Sequence, residues 1–200
     1  MKFVVAATAI VSALAAMPAM AGQVKESTTY FMVRGSTFDE LDRAMGMHGP
    51  QLRSGGERHA GSTQVSFNGD ATYRTVNGRC AVDRASYRLS LHQTLPRWNA
   101  PKGADGRTKV LWKTLRDDIL THENQHSTIA KAALKRIEDT VRELPPMGDC
   151  SQMASKVNAT VRNIIESHDR EQLAFDRSEA RAIDSRLARE LRRNLQVAGN

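Results

Sequence analysis

The chain has 200 residues, 40% of them hydrophobic, with a formal net charge of +7, a sequence pI of about 9.8 and two cysteines. That length suits one domain with a core large enough to need no further staples, and no internal repeat or low-complexity block interrupts it. No nucleic-acid-binding motif accompanies the basic excess, so no nucleic-acid partner is expected. Much of the excess lies near the C-terminus, in Arg177, Arg181, Arg186, Arg189, Arg192 and Arg193. Glu179, Asp184 and Glu190 are interspersed, which reads as a solvated, salt-bridged helix face with contact to an anionic surface as the functional alternative.

The chain opens with Met1-Lys2, an apolar run from Phe3 to about Ala16, then Pro18 and Ala19-Met20-Ala21 before Gly22. This is the pattern of a signal peptide with an A-x-A cleavage site, so residues 1–21 are set aside and a periplasmic or secreted protein is expected. The mature chain, 22–200, reads as a single domain with a β-rich half, 22–108, and a helical half, 109–200. Thr28 to Val33 alternates like a strand, and Ser36-Thr37 caps a short helix from Phe38 to Met45. Gly46 to Gly61, rich in Gly, Pro and Ser, reads as a surface loop in which His48 and His59 are ordinary loop residues. Strands are expected at Gln64–Phe67, Ala71–Val76 and Arg84–Leu95, with Asn68-Gly69 and Asn77-Gly78 as the turns between them. In the last strand Tyr87, Leu89 and Leu91 alternate with Arg88, Ser90 and His92, one face apolar and one polar. The expected sheet is antiparallel.

Pro96, Trp98 and Pro101 end the sheet, and Gly103 to Gly106 forms a loop before a long amphipathic helix. Its apolar stripe runs Leu111, Leu115, Ile119, Ile129, Ala133, Ile137, Val141 and Leu144, and it stops at Pro145-Pro146. A second long helix is expected from near Ser151 toward Leu195. Cys80 and Cys150, an even pair in an exported chain, favour a disulfide joining the segment before the first long helix to the loop after it. Neither belongs to a C-x-x-C pair, so a cysteine-rich zinc site is not expected.

Residues 122–126 of the first long helix read His122-Glu123-Asn124-Gln125-His126, an H-E-x-x-H pentapeptide. Four residues turn through slightly more than one revolution, so the two imidazoles stack on one face and can grip one Zn²⁺, with Glu123 beside them to act on a zinc-activated water. Both histidines fall at inward positions of the apolar stripe, where uncompensated polar groups would be costly; a metal supplies the partner. A catalytic zinc takes three protein ligands and keeps a position for water, so a third is required. In the second long helix Val157, Val161, Ile164 and Ile165 give way to His168, Gln172, Asp176 and Glu179 before Ile183 resumes the apolar series. If the two helices pack antiparallel, that polar section lies across from His122 and His126. His168, Glu171, Asp176 and Glu179 are the candidates, and spacing does not choose among them. Those that do not bind metal can orient the ligand histidines through their second ring nitrogen.

Gly78-Arg79-Cys80-Ala81-Val82, Leu95-Pro96-Arg97-Trp98, the pentapeptide, Asp149-Cys150 and Gln172-Leu173-Ala174-Phe175-Asp176 together resemble a family of predicted secreted bacterial zinc-dependent proteases, the domain of unknown function 922 type. The likeness spans most of the mature chain. It implies an α+β, zincin-like fold in which an N-terminal antiparallel sheet precedes two long antiparallel helices carrying the metal site. Phe175-Asp176 matches the family's aromatic-Asp pair, which makes Asp176 the third ligand by resemblance and His168 the alternative. Glu179 stands where family members have a Thr, and Arg181-Ala182 replaces their His-Gly.

The expected activity is that of a zinc metallopeptidase acting on a peptide or protein substrate. Glu123 serves as the base, an edge strand of the sheet pairs with the substrate, and Tyr87 or His92 are the guesses for an oxyanion-stabilising group. The alternatives from other classes are a non-catalytic metal-binding envelope protein and a basic surface-binding module.

Overall fold

The computed structural model describes residues 23–51 and 58–198. The signal peptide expected at 1–21 lies outside them. Six elements follow in order: β1 (Gln23–Val33), α1 (Phe38–His48), β2 (Ser62–Val76), β3 (Arg79–Trp98), α2 (Gly106–Arg142) and α3 (Cys150–Ala198). The fold is α+β, a small sheet followed by two long helices. None of the described helices is long and apolar enough to cross a membrane.

The sheet is mixed rather than antiparallel, in the order β1-β3-β2. β2 and β3 form the hairpin that Asn77-Gly78 announces: both residues have positive φ, 52° and 73°, as a two-residue turn between twisted strands requires. β1, however, runs parallel to β3, in register from Gln23 opposite Arg88 to Val33 opposite Trp98. Turn signals report only on strands adjacent in sequence. After β1 the chain leaves through α1, and the long β3, whose Leu89, Leu91 and Leu95 are buried, takes the centre of the sheet between the other two.

The Asn68-Gly69 turn is also corrected. β2 runs straight through it, with Gly69 paired to Tyr87. A Cβ at position 69 would lie 2.4 Å from both Ser86 O and Tyr87 Cδ1, so the glycine is there to let the Tyr87 ring close over the strand. α1 extends to His48, into the segment expected as loop. Its start is a capping box: Thr37 Oγ1 accepts from Glu40 N, and Glu40 Oε2 accepts from the backbone of Ser36 and Thr37.

α2, 37 residues long, is capped by Asp105, which accepts from Thr108 N, and ends at Arg142, short of Pro145-Pro146. The Pro-Pro connection is then stitched to the start of β3. Cys80 and Met147 exchange backbone hydrogen bonds, Arg79 Nη2 donates to Pro146 O, and Cys80 and Cys150 form a disulfide with Cα atoms 5.0 Å apart. α3 therefore starts from a fixed point and returns along α2. The pairs Arg136–Glu171, His126–Gln172, Asp118–Arg186 and Thr114–Asn194 mark an antiparallel packing.

Two apolar clusters hold the molecule. The larger joins Tyr87, Leu89 and Leu91 of the sheet to Ala130, Leu134, Ile137 and Val141 of α2 and Met153 and Val157 of α3. The smaller joins Val33, Leu41, Met45 and Leu95 to Trp112 and Ile119. The buried line along α2 passes from one cluster to the other between Ile119 and Ala130, and there it is polar: Glu123 and Ser127.

Candidate metal centre

Glu123 is the buried member of the pentapeptide, 4% exposed, on the line of α2 that faces the sheet. The histidines flank that line instead of lying on it, contrary to the reading of the apolar stripe. α2 is covered by both sheet and α3, so its inner surface is wider than one stripe, and His122 and His126 face the second neighbour. Gln93 of β3 clasps α2 at this level, donating to Asn124 Oδ1 and Ser127 Oγ.

Thr63, at the start of β2, donates its hydroxyl to Glu123 Oε2 at 2.7 Å and reaches Glu123 O at 3.2 Å. Oε1 takes part in no protein hydrogen bond among the described residues. A Cβ on Gly61 would stand 2.8 Å from that same Oε1 and 2.9 Å from Ile119 Cγ2, so glycine keeps the space in which the carboxyl sits. Burial raises the Glu123 pKa above the usual carboxylate value, opposed by the Thr63 hydrogen bond and by the two histidines. Thr63 and Gly61 carry no motif. Only the tertiary placement of β2 against α2 reveals them.

His122 Nε2 and His126 Nε2 are 3.0 Å apart. Asp176 Oδ1, from α3, lies 3.0 Å from His126 Nε2 and 3.5 Å from His122 Nε2. Within the described residues these three side chains form the one group whose ligand atoms, all within 4.8 Å of one another, could hold a metal ion. The Phe175 ring lies against both imidazoles, centroids 4.9 and 5.1 Å away, and restricts their rotation. The Asp176 side chain is 48% exposed, so the cluster opens to solvent on the α3 side.

The other candidates stand elsewhere. Glu171 is paired with Arg136, whose hydrogen bond lowers its pKa, and accepts from Ser167. Glu179 approaches the far side of His122, with Oε2 3.9 Å from Nδ1, and is itself paired at 2.7 Å with Arg186. His168 is 4% exposed, and its ring nitrogens face Asp169 and Gln172. Gln172, read from sequence as one more inward polar residue, stands between His168 and His126 and bonds both.

Neither guess for an oxyanion group joins the cluster. Tyr87 belongs to the larger core, its phenol pushed up to about 12 by burial, and His92 bonds Ser27 and Thr29 on the sheet face turned away from the helices. Of the C-terminal arginines, Arg186 turns inward to Asp118 and Glu179, while Arg177, Arg181, Arg189, Arg192 and Arg193 are exposed.

A mixed three-stranded sheet backed by two antiparallel helices, with a His-His-Asp cluster between them and a buried glutamate alongside, defines the molecule. A family model described as bacterial protein of unknown function (DUF922) matches residues 28–184, and the chain belongs to that family. No curated protein and no solved structure matches it.

Proposed function

We propose that the protein is a zinc-dependent metallopeptidase of the periplasm or the secreted fraction. The observation that carries the reading is the convergence of His122 Nε2, His126 Nε2 and Asp176 Oδ1 beside the buried Glu123. Two imidazole nitrogens and a carboxylate oxygen are donors that zinc takes, and zinc bonds of about 2.0–2.1 Å in a tetrahedron place ligand atoms about 3.3 Å apart. The separations of 3.0, 3.0 and 3.5 Å fit that spacing. The disulfide supports an oxidising compartment, in line with removal of residues 1–21 on export.

Bound there, zinc supplies Lewis acidity toward the scissile carbonyl and the attacking water. The chain supplies the proton handling. Thr63 holds Glu123 through Oε2, leaving Oε1 to accept a proton from water and deliver it to the leaving amine as the C–N bond breaks. The raised pKa of Glu123 brings it closer to neutrality, where one group can both take and return a proton. Among the described residues β2 is paired on one side only and starts beside Glu123, so an extended peptide adding to its free edge would pass the site.

The test is elemental analysis of the purified protein together with a peptidase assay. Wild type is expected to carry one zinc per chain, lost in His126→Ala and weakened more in Asp176→Ala than in Glu179→Ala. Glu123→Gln should keep the metal and lose about 10²–10⁴-fold in turnover. Full activity in Glu123→Gln defeats the mechanism. Zinc without any peptidase activity in wild type leaves a metal-binding envelope protein.

A further inference from the structure

We infer that Gln172, anchored by the buried His168, is a positioning residue that fixes the tautomer of His126 and so presents a bare Nε2 to the cluster. The inference rests on the zinc reading for its effect on affinity, but its geometry belongs to the metal-free chain.

The orientation of the Gln172 amide follows from its neighbours. Its Nε2 lies 3.1 Å from the backbone oxygen of His126, an atom that only accepts, so the amide nitrogen must face it. Oε1 is then the atom against His126 Nδ1, and an amide oxygen only accepts, so Nδ1 carries the proton. A neutral imidazole protonated at Nδ1 has its lone pair at Nε2, the atom that faces His122 and Asp176. The same Gln172 Nε2 lies 2.9 Å from His168 Nε2, which must accept. His168 is therefore also protonated at Nδ1, and it donates to Asp169 Oδ1 at 2.9 Å.

This arrangement accounts for a buried imidazole that joins no cluster. His168 is 4% exposed and packs edge-on against Phe67 of β2, ring centroids 5.1 Å apart, so its Nε2 is held as a fixed acceptor. Residues 168, 172 and 176 follow one another at four-residue spacing, so successive turns of α3 carry the anchor, the orienting amide and the carboxylate of the cluster. Had Gln172 been free to turn, His126 could take its proton at Nε2, and that form has its lone pair at Nδ1, on the side away from His122 and Asp176.

The experiment reads tautomers and affinity separately. Long-range ¹H–¹⁵N correlation spectra of the metal-free protein should show wild-type His126 and His168 both protonated at Nδ1. In Gln172→Glu the carboxylate still accepts from His126 but cannot donate to His168, so His168 alone should gain a proton at Nε2 while Nδ1 keeps its own toward Asp169. Zinc affinity, measured by competition with a chromophoric chelator, should fall about 10–100-fold in Gln172→Leu and be restored in Gln172→Glu. Circular dichroism confirms that both variants fold, and Gln172→Glu decides the matter if Gln172→Leu does not. A wild-type His126 protonated at Nε2, or equal zinc affinity in folded Gln172→Leu and wild type, overturns the inference. Wild type that takes up no zinc overturns the metallopeptidase reading instead, and the tautomers then still decide whether Gln172 positions His126.

Discussion

Glu123 shows how one residue is made costly in order to be useful. Its carboxyl sits at the seam between two apolar clusters, 4% exposed, and among the described residues receives one hydrogen bond, from Thr63. A buried carboxylate with an elevated pKa destabilises the folded chain wherever it is ionised. The sign follows from linkage: the penalty is complete above the raised folded pKa, shrinks as pH falls through it, and is gone below the ordinary value of 4.5, where folded and unfolded chains both hold the proton. Glu123→Gln keeps an acceptor for Thr63 and removes the charge. In metal-free protein at neutral pH it should therefore stabilise the fold, on the order of 1 kcal/mol, raising Tm by about 2–4 °C for a domain this size. Thermal melts across pH check this; the gain should narrow toward acid, and a gain that grows there would contradict the burial argument.

Between elements, one of the contacts that hold α2 and α3 in register is ionic. Asp118 on α2, its side chain 5% exposed, pairs with Arg186 Nε at 2.8 Å, and Arg186 Nη1 reaches Glu179 at 2.7 Å. Both partners raise the guanidinium pKa, so it stays charged throughout any working range. The pair locks the helices one turn of α2 before His122, and Asn194 to Thr114 extends the contact. Arg186→Ala leaves Asp118 buried and unpaired and should cost about 3–5 kcal/mol in denaturant unfolding, whereas Asp118→Leu/Arg186→Met should recover most of that loss. Equal destabilisation in the two variants would show that the pair contributes more than cancellation of its own burial cost.

At the scale of the molecule, the disulfide and the short β-bridge of Cys80 with Met147 close a loop of sequence separation 70 that holds the central strand β3 and all of α2. Cross-linking a loop that long stabilises by about 4 kcal/mol in the chain-entropy picture. Cys80→Ser/Cys150→Ser should lose stability of that order in urea titrations. Because the bridge also sets where α3 begins, zinc affinity of the still-folded variant should fall as well. Unchanged affinity would assign the register of α3 to Asp118–Arg186 and the apolar packing alone.

Local chemistry made several features legible from the chain alone. The H-E-x-x-H spacing places two imidazoles on one helix face, Asn77-Gly78 dictates a hairpin, Thr37 and Glu40 cap α1, prolines bound both long helices, and an even cysteine pair announces its bridge. Each acts within a few residues or by simple count. What the chain alone left open involves partners distant in sequence. The parallel pairing of β1 with β3 depends on which strand fills the sheet centre, and Asn68-Gly69 passes for a turn until the Tyr87 ring is seen to need the missing Cβ. The separation of Asp176 from Glu171, Glu179 and His168, all polar and all on α3, depends on how that helix is rotated against α2. Thr63, Gly61 and the donor–acceptor order through Gln172 arise only where β2, α2 and α3 meet. Helical period and turn propensity are short-range properties of the backbone, while helix rotation and strand order are settled by burial and by satisfying polar groups across the whole core.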